Sequence, residues 1–125
     1  MDKSLTLRSR MEEFSEVVYA GRFTDAIGDE LSIEAGVEKF LDKLKQAKES
    51  DSRIFVMGNG GSASTASHFV SDLLKTSITN ENNRFKAMSL SDNIPVLLAW
   101  SNDVSYDTIF SSQLENFLQK GDVVI

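Results

Sequence analysis

The stretch Arg53–Leu74, RIFVMGNGGSASTASHFVSDLL, gives the clearest indication of the fold class, because an apolar run enters a glycine turn that opens into a helix. The run Ile54–Met57 is short, continuous and partly β-branched, which is typical of a strand buried on both faces of a parallel sheet. It ends at Gly58, and helical spacing of apolar residues resumes at Ser62. This order predicts the first strand and helix of an α/β domain.

The rest of the chain predicts two long helices before this strand and alternating strands and helices after it. Helices are expected at 3–20, 29–48, 93–99 and 106–119, further strands at 85–90 and 122–125, and polar loops at 76–84 and 101–105. We therefore expect an α/β fold, with a parallel sheet flanked by helices and two N-terminal helices in front of it.

We expect one domain over residues 1–125. Residues 1–50 would form an N-terminal helical extension, and residues 51–125 the first half of the α/β core. The sequence stops at Val123–Ile125, inside what reads as a core strand. We therefore expect a fragment that lacks the C-terminal half of the domain, and a short domain with a C-terminal edge strand is the alternative.

Composition excludes several classes of function. The formal net charge is −6 and the basic residues are scattered, which argues against nucleic acid as the main ligand. The chain has no cysteine, so disulfides and thiolate metal sites are excluded. We expect no membrane segment, because no long uncharged apolar run occurs. The N-terminus lacks a signal-peptide core, which favours a cytoplasmic protein.

The turn Gly58–Ser62 is suited to hold an anion or sugar hydroxyls. Ligands of open parallel sheets bind outside the carboxyl ends of the strands. Glycines let the backbone approach a ligand, and Ser62 is expected to cap the helix whose first N–H groups face that ligand. A tight turn without a ligand is the alternative. The G-x-G-x-x-A spacing of Gly58, Gly60 and Ala63 also leaves a dinucleotide-binding module open, although the acidic residue expected about 20 residues later is missing.

The only histidine of the chain lies on the helix after this turn. His68 and Asp72 are four residues apart, so their side chains meet on one helix face. Another stripe of the same helix is expected to pack on the sheet, and it consists of Ala63, Ala66, Phe69, Val70, Leu73 and Leu74. The pair is either a surface ion pair of small energy or a functional pair, as two metal ligands or as a base and its partner.

Three motifs in order resemble the sugar isomerase (SIS) domain family, in its phosphoheptose isomerase branch. MGNGGSASTASHFVSDLL is similar to the G-N-G-G-S…H-F signature of that branch. The segments Ser101–Phe110 and Lys120–Ile125 resemble its N-D…D-x-F segment and the following G-D-V strand. The resemblance covers nearly the whole chain, and it implies a flavodoxin-like, doubly wound domain.

The resemblance also implies roles for individual residues. Asn59, Gly60, Gly61 and Ser62 would contact a sugar-phosphate substrate, as would Asn102 and Asp103. His68 would bind zinc, and Asp72 would be zinc ligand, substrate contact and catalytic base. The reaction would convert sedoheptulose 7-phosphate to a heptose 7-phosphate through an enediol, for heptose, lipopolysaccharide or surface-polysaccharide biosynthesis. The family is generally oligomeric, and a homotetramer is implied.

Two departures from the family pattern bear on catalysis. Asp72 stands where the family has Glu, which shortens the base by one methylene, about 1.5 Å, and misplacement on that scale costs on the order of a hundredfold in rate. The sequence also stops before the serine-rich phosphate loop and the late Gln and His that complete the family's zinc site. The alternative is a non-catalytic SIS-type protein that binds sugar phosphate or has a regulatory role, of the kind that binds a replication initiator.

Overall fold

The computed structural model describes residues 6–79 and 83–125, which divide into two compact units, Met1–Leu41 and Asp42–Ile125. The helices are α1 Leu7–Tyr19, α2 Ile33–Glu49, α3 Gly61–Ser71, α4 Ile94–Asp103 and α5 Ser111–Phe117; the strands are β1 Phe23–Thr24, β2 Glu30–Leu31, β3 Arg53–Val56, β4 Lys86–Ser89 and β5 Val123–Val124. A π-turn, Asp72–Thr76, continues α3, and a 3-10 turn, Tyr106–Thr108, precedes α5. Residues 3–5 of the first predicted helix and 80–82 of the predicted polar loop lie outside the described ranges.

The first unit contains a short antiparallel hairpin that the periodicity did not predict. Phe23 pairs with Leu31 and Thr24 with Glu30. The carboxylate of Asp25 accepts hydrogen bonds from two backbone N–H groups of the turn between the strands. Strands of two residues are too short to show an alternating pattern, and the predicted second helix therefore begins too early, at residue 29.

Capping sets the starts of the two N-terminal helices. The side chain of Thr6 accepts a hydrogen bond from the N–H of Ser9 and caps α1. Ser32 accepts a hydrogen bond from the N–H of Ala35 at the start of α2. The described part of α1 has no buried residue, and its apolar side chains are exposed, with Phe14 at 65%.

The second unit is built on a three-stranded parallel sheet in the order β4-β3-β5. Of these three strands, the first in the sequence, β3, is therefore in the middle, with β4 and β5 on either side of it. This is the 2-1-3 beginning of a flavodoxin-like order, and such sheets bind ligands at the carboxyl ends of their strands. The expected α/β fold with a parallel sheet flanked by helices is confirmed.

The core of this unit lies between the sheet and two helices. Ile54 and Val56 of β3 form one buried cluster with Leu44 and Ala47 of α2 and with Ala66, Val70 and Leu73 after the glycine turn. Phe55 is fully buried, and strand alternation directs it to the opposite face. The predicted packing of Leu74 is wrong, because the π-turn is wider than an α-helical turn and leaves Leu74 45% exposed.

The segment between β4 and β5 differs from its prediction. α4 begins as expected, with the side chain of Asn93 accepting from the N–H of Val96 and Pro95 in the first turn. It continues to Asp103, so the predicted loop at 101–105 is largely helical. The predicted helix at 106–119 is divided, because Ser105 caps a separate 3-10 turn before α5 begins. Within the described residues, no helix has both the length and the apolar character needed to span a bilayer.

Gln113 joins α5 to the end of β4. Its side-chain amide is buried and donates to the carbonyl oxygens of Leu90, at 3.2 Å, and Ile109, at 2.7 Å. Polar residues buried in this way must be hydrogen bonded, so Gln113 fixes the helix at one place on the sheet.

Replacing Gln113 with Leu keeps the volume but removes both hydrogen bonds. We expect the free energy of unfolding to fall by about 1–3 kcal/mol, because buried carbonyl oxygens lose a donor. Urea unfolding measures the change. The matched control is Gln46→Leu, at an exposed position on α2, which should change stability by less than about 0.5 kcal/mol. Equal effects of the two substitutions would contradict a role for the buried amide.

Candidate active site at the carboxyl edge of the sheet

Gly58 is the point at which the chain leaves the central strand. A Cβ atom at this position would lie 2.4 Å from the carbonyl carbon and oxygen of Ser62 and 2.8 Å from the nitrogen of Ala63. Those neighbours are backbone atoms of the first turn of α3 and cannot move away as a side chain could. Only glycine therefore allows α3 to start this close to the end of β3.

The helix after this turn begins without a side-chain cap. Gly60 is the N-cap residue with φ +58° and ψ −125°, a conformation that favours glycine. Ser62 is the second residue of α3, and its N–H donates to the carbonyl oxygen of Asn59 at 3.1 Å. The expectation that Ser62 caps α3 is thus wrong. Asn59, Gly60, Gly61 and Ser62 are all exposed at the carboxyl end of the central strand.

Ser91 ties this turn to the neighbouring strand. Its buried hydroxyl accepts from the N–H of Gly58 at 3.2 Å and donates to the carbonyl oxygen of Gly58 at 2.9 Å. Ser91 follows β4, so one side chain connects the chain segments that leave two adjacent strands. The next residue, Asp92, accepts a hydrogen bond from the hydroxyl of Ser67 on α3. Two consecutive residues after β4 therefore fix both the turn and its helix to that neighbouring strand.

His68 and Asp72 do meet on one face of the helix that follows the turn. His68 Nε2 lies 3.6 Å from Asp72 Oδ2, and the two side chains are 81% and 49% exposed. The other carboxylate oxygen, Oδ1, accepts a hydrogen bond from the hydroxyl of Thr76 at 3.0 Å. A half-exposed carboxylate beside an imidazole can accept a proton from a bound molecule or share a metal ion with that imidazole.

The fit of zinc to this pair can be judged from its donors. An imidazole nitrogen and a carboxylate oxygen are both ordinary zinc ligands, but a catalytic zinc usually has three protein ligands. In the ranges 6–79 and 83–125, no group of three or more His, Cys, Asp or Glu side chains could hold a metal ion. The pair fits two positions of a zinc site, and the described residues do not complete that site.

The other predicted substrate contacts are not brought to this pair by hydrogen bonds. Asn102 and Asp103 end α4, are exposed, and bond to each other through Asn102 Nδ2 and Asp103 Oδ1 at 3.0 Å. In the described part of the chain, neither side chain is hydrogen bonded to the glycine turn or to His68 and Asp72. Both line a separate surface cavity of about 610 Å³.

Two residues of this site were missed by sequence reasoning, although each carries a signal. Thr76 is four residues after Asp72 and eight after His68, so helical spacing alone places it on the same face. Ser91 directly follows a predicted strand, where the carboxyl ends of parallel strands bring loops together. Neither position belongs to a motif that indicates a function.

Comparisons with known proteins identify close counterparts of the chain. No protein-family model matches it. It is 34% identical to a probable phosphoheptose isomerase of Thermoplasma volcanium, over 99% of this chain and 61% of that protein. It is 36% identical to a phosphoheptose isomerase of Geotalea daltonii, over 92% of this chain and 59% of that protein. The chain thus spans about 60% of the length of these curated relatives.

Solved structures agree with the sequence matches. A phosphoheptose isomerase from Neisseria gonorrhoeae superimposes with a TM-score of 0.62 at 26% identity, covering 95% of this chain and 59% of that structure. One from Francisella tularensis gives a TM-score of 0.65 at 20% identity over 96% of this chain and 60% of that structure, which shows the shared fold. The expected resemblance to phosphoheptose isomerases is confirmed.

The close approach at Gly58 can be tested with a pair of glycine substitutions. We expect Gly58→Ala to lower the free energy of unfolding by about 1–3 kcal/mol, because its methyl group meets backbone rather than a movable side chain. Gly61→Ala is the control, since a Cβ there has no neighbour within 4 Å and α3 already includes the residue. Its stability should be unchanged or slightly raised. Urea unfolding measures the free energy of unfolding of both variants, and equal values would contradict the close approach at Gly58.

Proposed function

Because the chain is homologous to phosphoheptose isomerases along nearly all of its residues, we propose that it serves in the ketose–aldose isomerisation of sedoheptulose 7-phosphate. One observation carries the proposal. The glycine turn, at the carboxyl end of the central strand, opens the helix on which His68 and Asp72 meet. The turn proposed to bind substrate and the proposed base therefore lie along the same helical segment.

The glycine turn is suited to bind the polar end of a sugar phosphate. The first N–H groups of α3 carry the positive end of the helix dipole, which favours a phosphate or hydroxyl oxygen. The side chains of Asn59 and Ser62 are exposed at the same turn and offer an amide and a hydroxyl. We propose that these residues, with Gly60 and Gly61, contact the substrate, and that Asn102 and Asp103 contact it as well.

Asp72 is the proposed base. Its carboxylate would remove a proton from C1 of the ketose, which makes C1–C2 an enediol, and would return a proton to C2 to give the aldose. The proton of the C1 hydroxyl group is lost as that of the C2 hydroxyl group is gained, so the reaction is a net isomerisation. Partial burial and the hydrogen bond from Thr76 hold the carboxylate near the helix surface.

His68 and Asp72 are also proposed as zinc ligands, in agreement with their donor types and their 3.6 Å separation. When bound, such an ion would polarise the oxygens on C1 and C2. A cytoplasmic location and a homotetramer are proposed from the same family resemblance. The exposed apolar residues of α1, Met11, Phe14, Val17 and Val18, support assembly with further copies.

The proposal is tested by following sedoheptulose 7-phosphate by NMR in D₂O with zinc present. We expect heptose 7-phosphate to form and deuterium to enter at C2, because the enediol exchanges its proton with solvent. Asp72→Ala should lower kcat by at least about a hundredfold, whereas Asp72→Glu should restore or raise it. The control Asp42→Ala removes an exposed carboxylate of α2 and should leave the rate unchanged.

Two outcomes would contradict the proposal. If the Asp72→Ala and Asp42→Ala variants convert sedoheptulose 7-phosphate at equal rates, Asp72 is not the base. If the unsubstituted chain binds the sugar phosphate without converting it, a non-catalytic binding protein becomes the better description. Zinc binding is read separately from the ring signals of His68, which are unambiguous because the chain has one histidine.

A further inference from the structure

The carboxylate of Asp72 is engaged on both sides along the helix axis. Thr76 lies one turn after it and donates from its hydroxyl to Oδ1 at 3.0 Å. His68 lies one turn before it, with Nε2 at 3.6 Å from Oδ2. One carboxylate oxygen is thus occupied by a neutral donor, and the other is turned toward the imidazole.

The backbone changes its helical type at this residue. The N–H of Ser77 donates to the carbonyl oxygen of Asp72 at 2.9 Å, which is the i→i+5 bond of a π-turn. The hydroxyl of Ser77 donates to the carbonyl oxygen of Leu73 at 2.8 Å and holds the same turn. Such single π-turns inside α-helices are frequent at functional sites. Asp72 therefore begins a widened turn, and Thr76 ends it.

We propose that Thr76 is a positioning residue, which holds the carboxylate of Asp72 in the one orientation that faces His68 and the bound substrate. The proposal rests on the proposed function in so far as Asp72 acts as the base. An aspartate side chain has three staggered χ1 rotamers, and an exposed one would populate several of them. A donor that is fixed one turn away selects the rotamer in which Oδ1 is hydrogen bonded and Oδ2 is left for chemistry.

The hydrogen bond from Thr76 to Asp72 matters because the side chain of aspartate is shorter than that of glutamate. Aspartate has fewer torsions than glutamate through which it could recover a misplaced carboxylate, and its oxygens stay close to the backbone. A small error in the position of a catalytic group lowers the rate strongly. An exposed hydrogen bond contributes little to stability, so the effect of Thr76 should appear in orientation and rate rather than in unfolding.

The first test measures the χ1 rotamers of Asp72 from NMR three-bond couplings in the full chain without metal. Thr76→Val removes the hydroxyl at nearly equal volume, Thr76→Ser retains it, and Thr65→Val is the control. Thr65 is exposed on α3, and its hydroxyl donates to the carbonyl oxygen of Gly61, not to a carboxylate. We expect one dominant χ1 rotamer of Asp72 in the unsubstituted chain and in the Thr76→Ser and Thr65→Val variants. In the Thr76→Val variant we expect couplings averaged over several rotamers.

The second test is kinetic. Thr76→Val should lower kcat for sedoheptulose 7-phosphate by about 10–100-fold with KM changed less than about twofold. Thr76→Ser should recover most of the rate, and the urea midpoint should be the same in all variants. If the couplings of Asp72 are the same in Thr76→Val as in the unsubstituted chain, the positioning role is overturned. If the unsubstituted chain has no isomerase activity, the proposed function fails, and the couplings still decide whether Thr76 holds Asp72.

Discussion

The close approach of Gly58 to the first turn of α3 determines how the helix packs on the three-stranded sheet. The first turn of α3 lies so close to Gly58, two residues after the end of β3, that a side chain at that position would collide with its backbone. That approach sets where Ala66, Val70 and Leu73 reach the sheet, and these are three of the seven described residues of the buried cluster. It also places four exposed residues of the turn at the edge where parallel sheets bind ligands.

The same close approach positions the helix that carries several of the proposed site residues. One helix carries the turn at its start and the His68–Asp72 pair two to three turns later, so the distance between the proposed binding turn and the proposed base is set by helical rise. Ser91 and Asp92 hold this element from the adjacent strand, through Gly58 and Ser67. Sites built on regular elements in this way need few residues to fix their geometry, which suits the small number of functional groups found here.

Periodicity and motif spacing could predict the features that repeat over several residues. The central strand, the glycine turn, the His68–Asp72 face and the parallel sheet all follow from such patterns. The β1–β2 hairpin could not be predicted, because strands of two residues show no period. The hydrogen bonds between Ser91 and Gly58 join segments 33 residues apart, which no local pattern indicates. The π-turn at Asp72 is local, but no period of the sequence distinguishes it from an α-helical turn. The capping expected of Ser62 failed because Gly60 already provides the backbone conformation that starts the helix.

The order of the strands also sets when β3 can pair with β5 during synthesis. β3 is central, yet its partner β5 is made last of the described strands, and Arg53 bonds through its N–H to the carboxylate of Asp122, 69 residues later. Pairings between residues so distant in sequence form slowly, because a long loop must close before they are made. One edge of the central strand therefore stays unpaired until residues 122–125 have left the ribosome, and a nascent chain with such an edge is open to association with other chains.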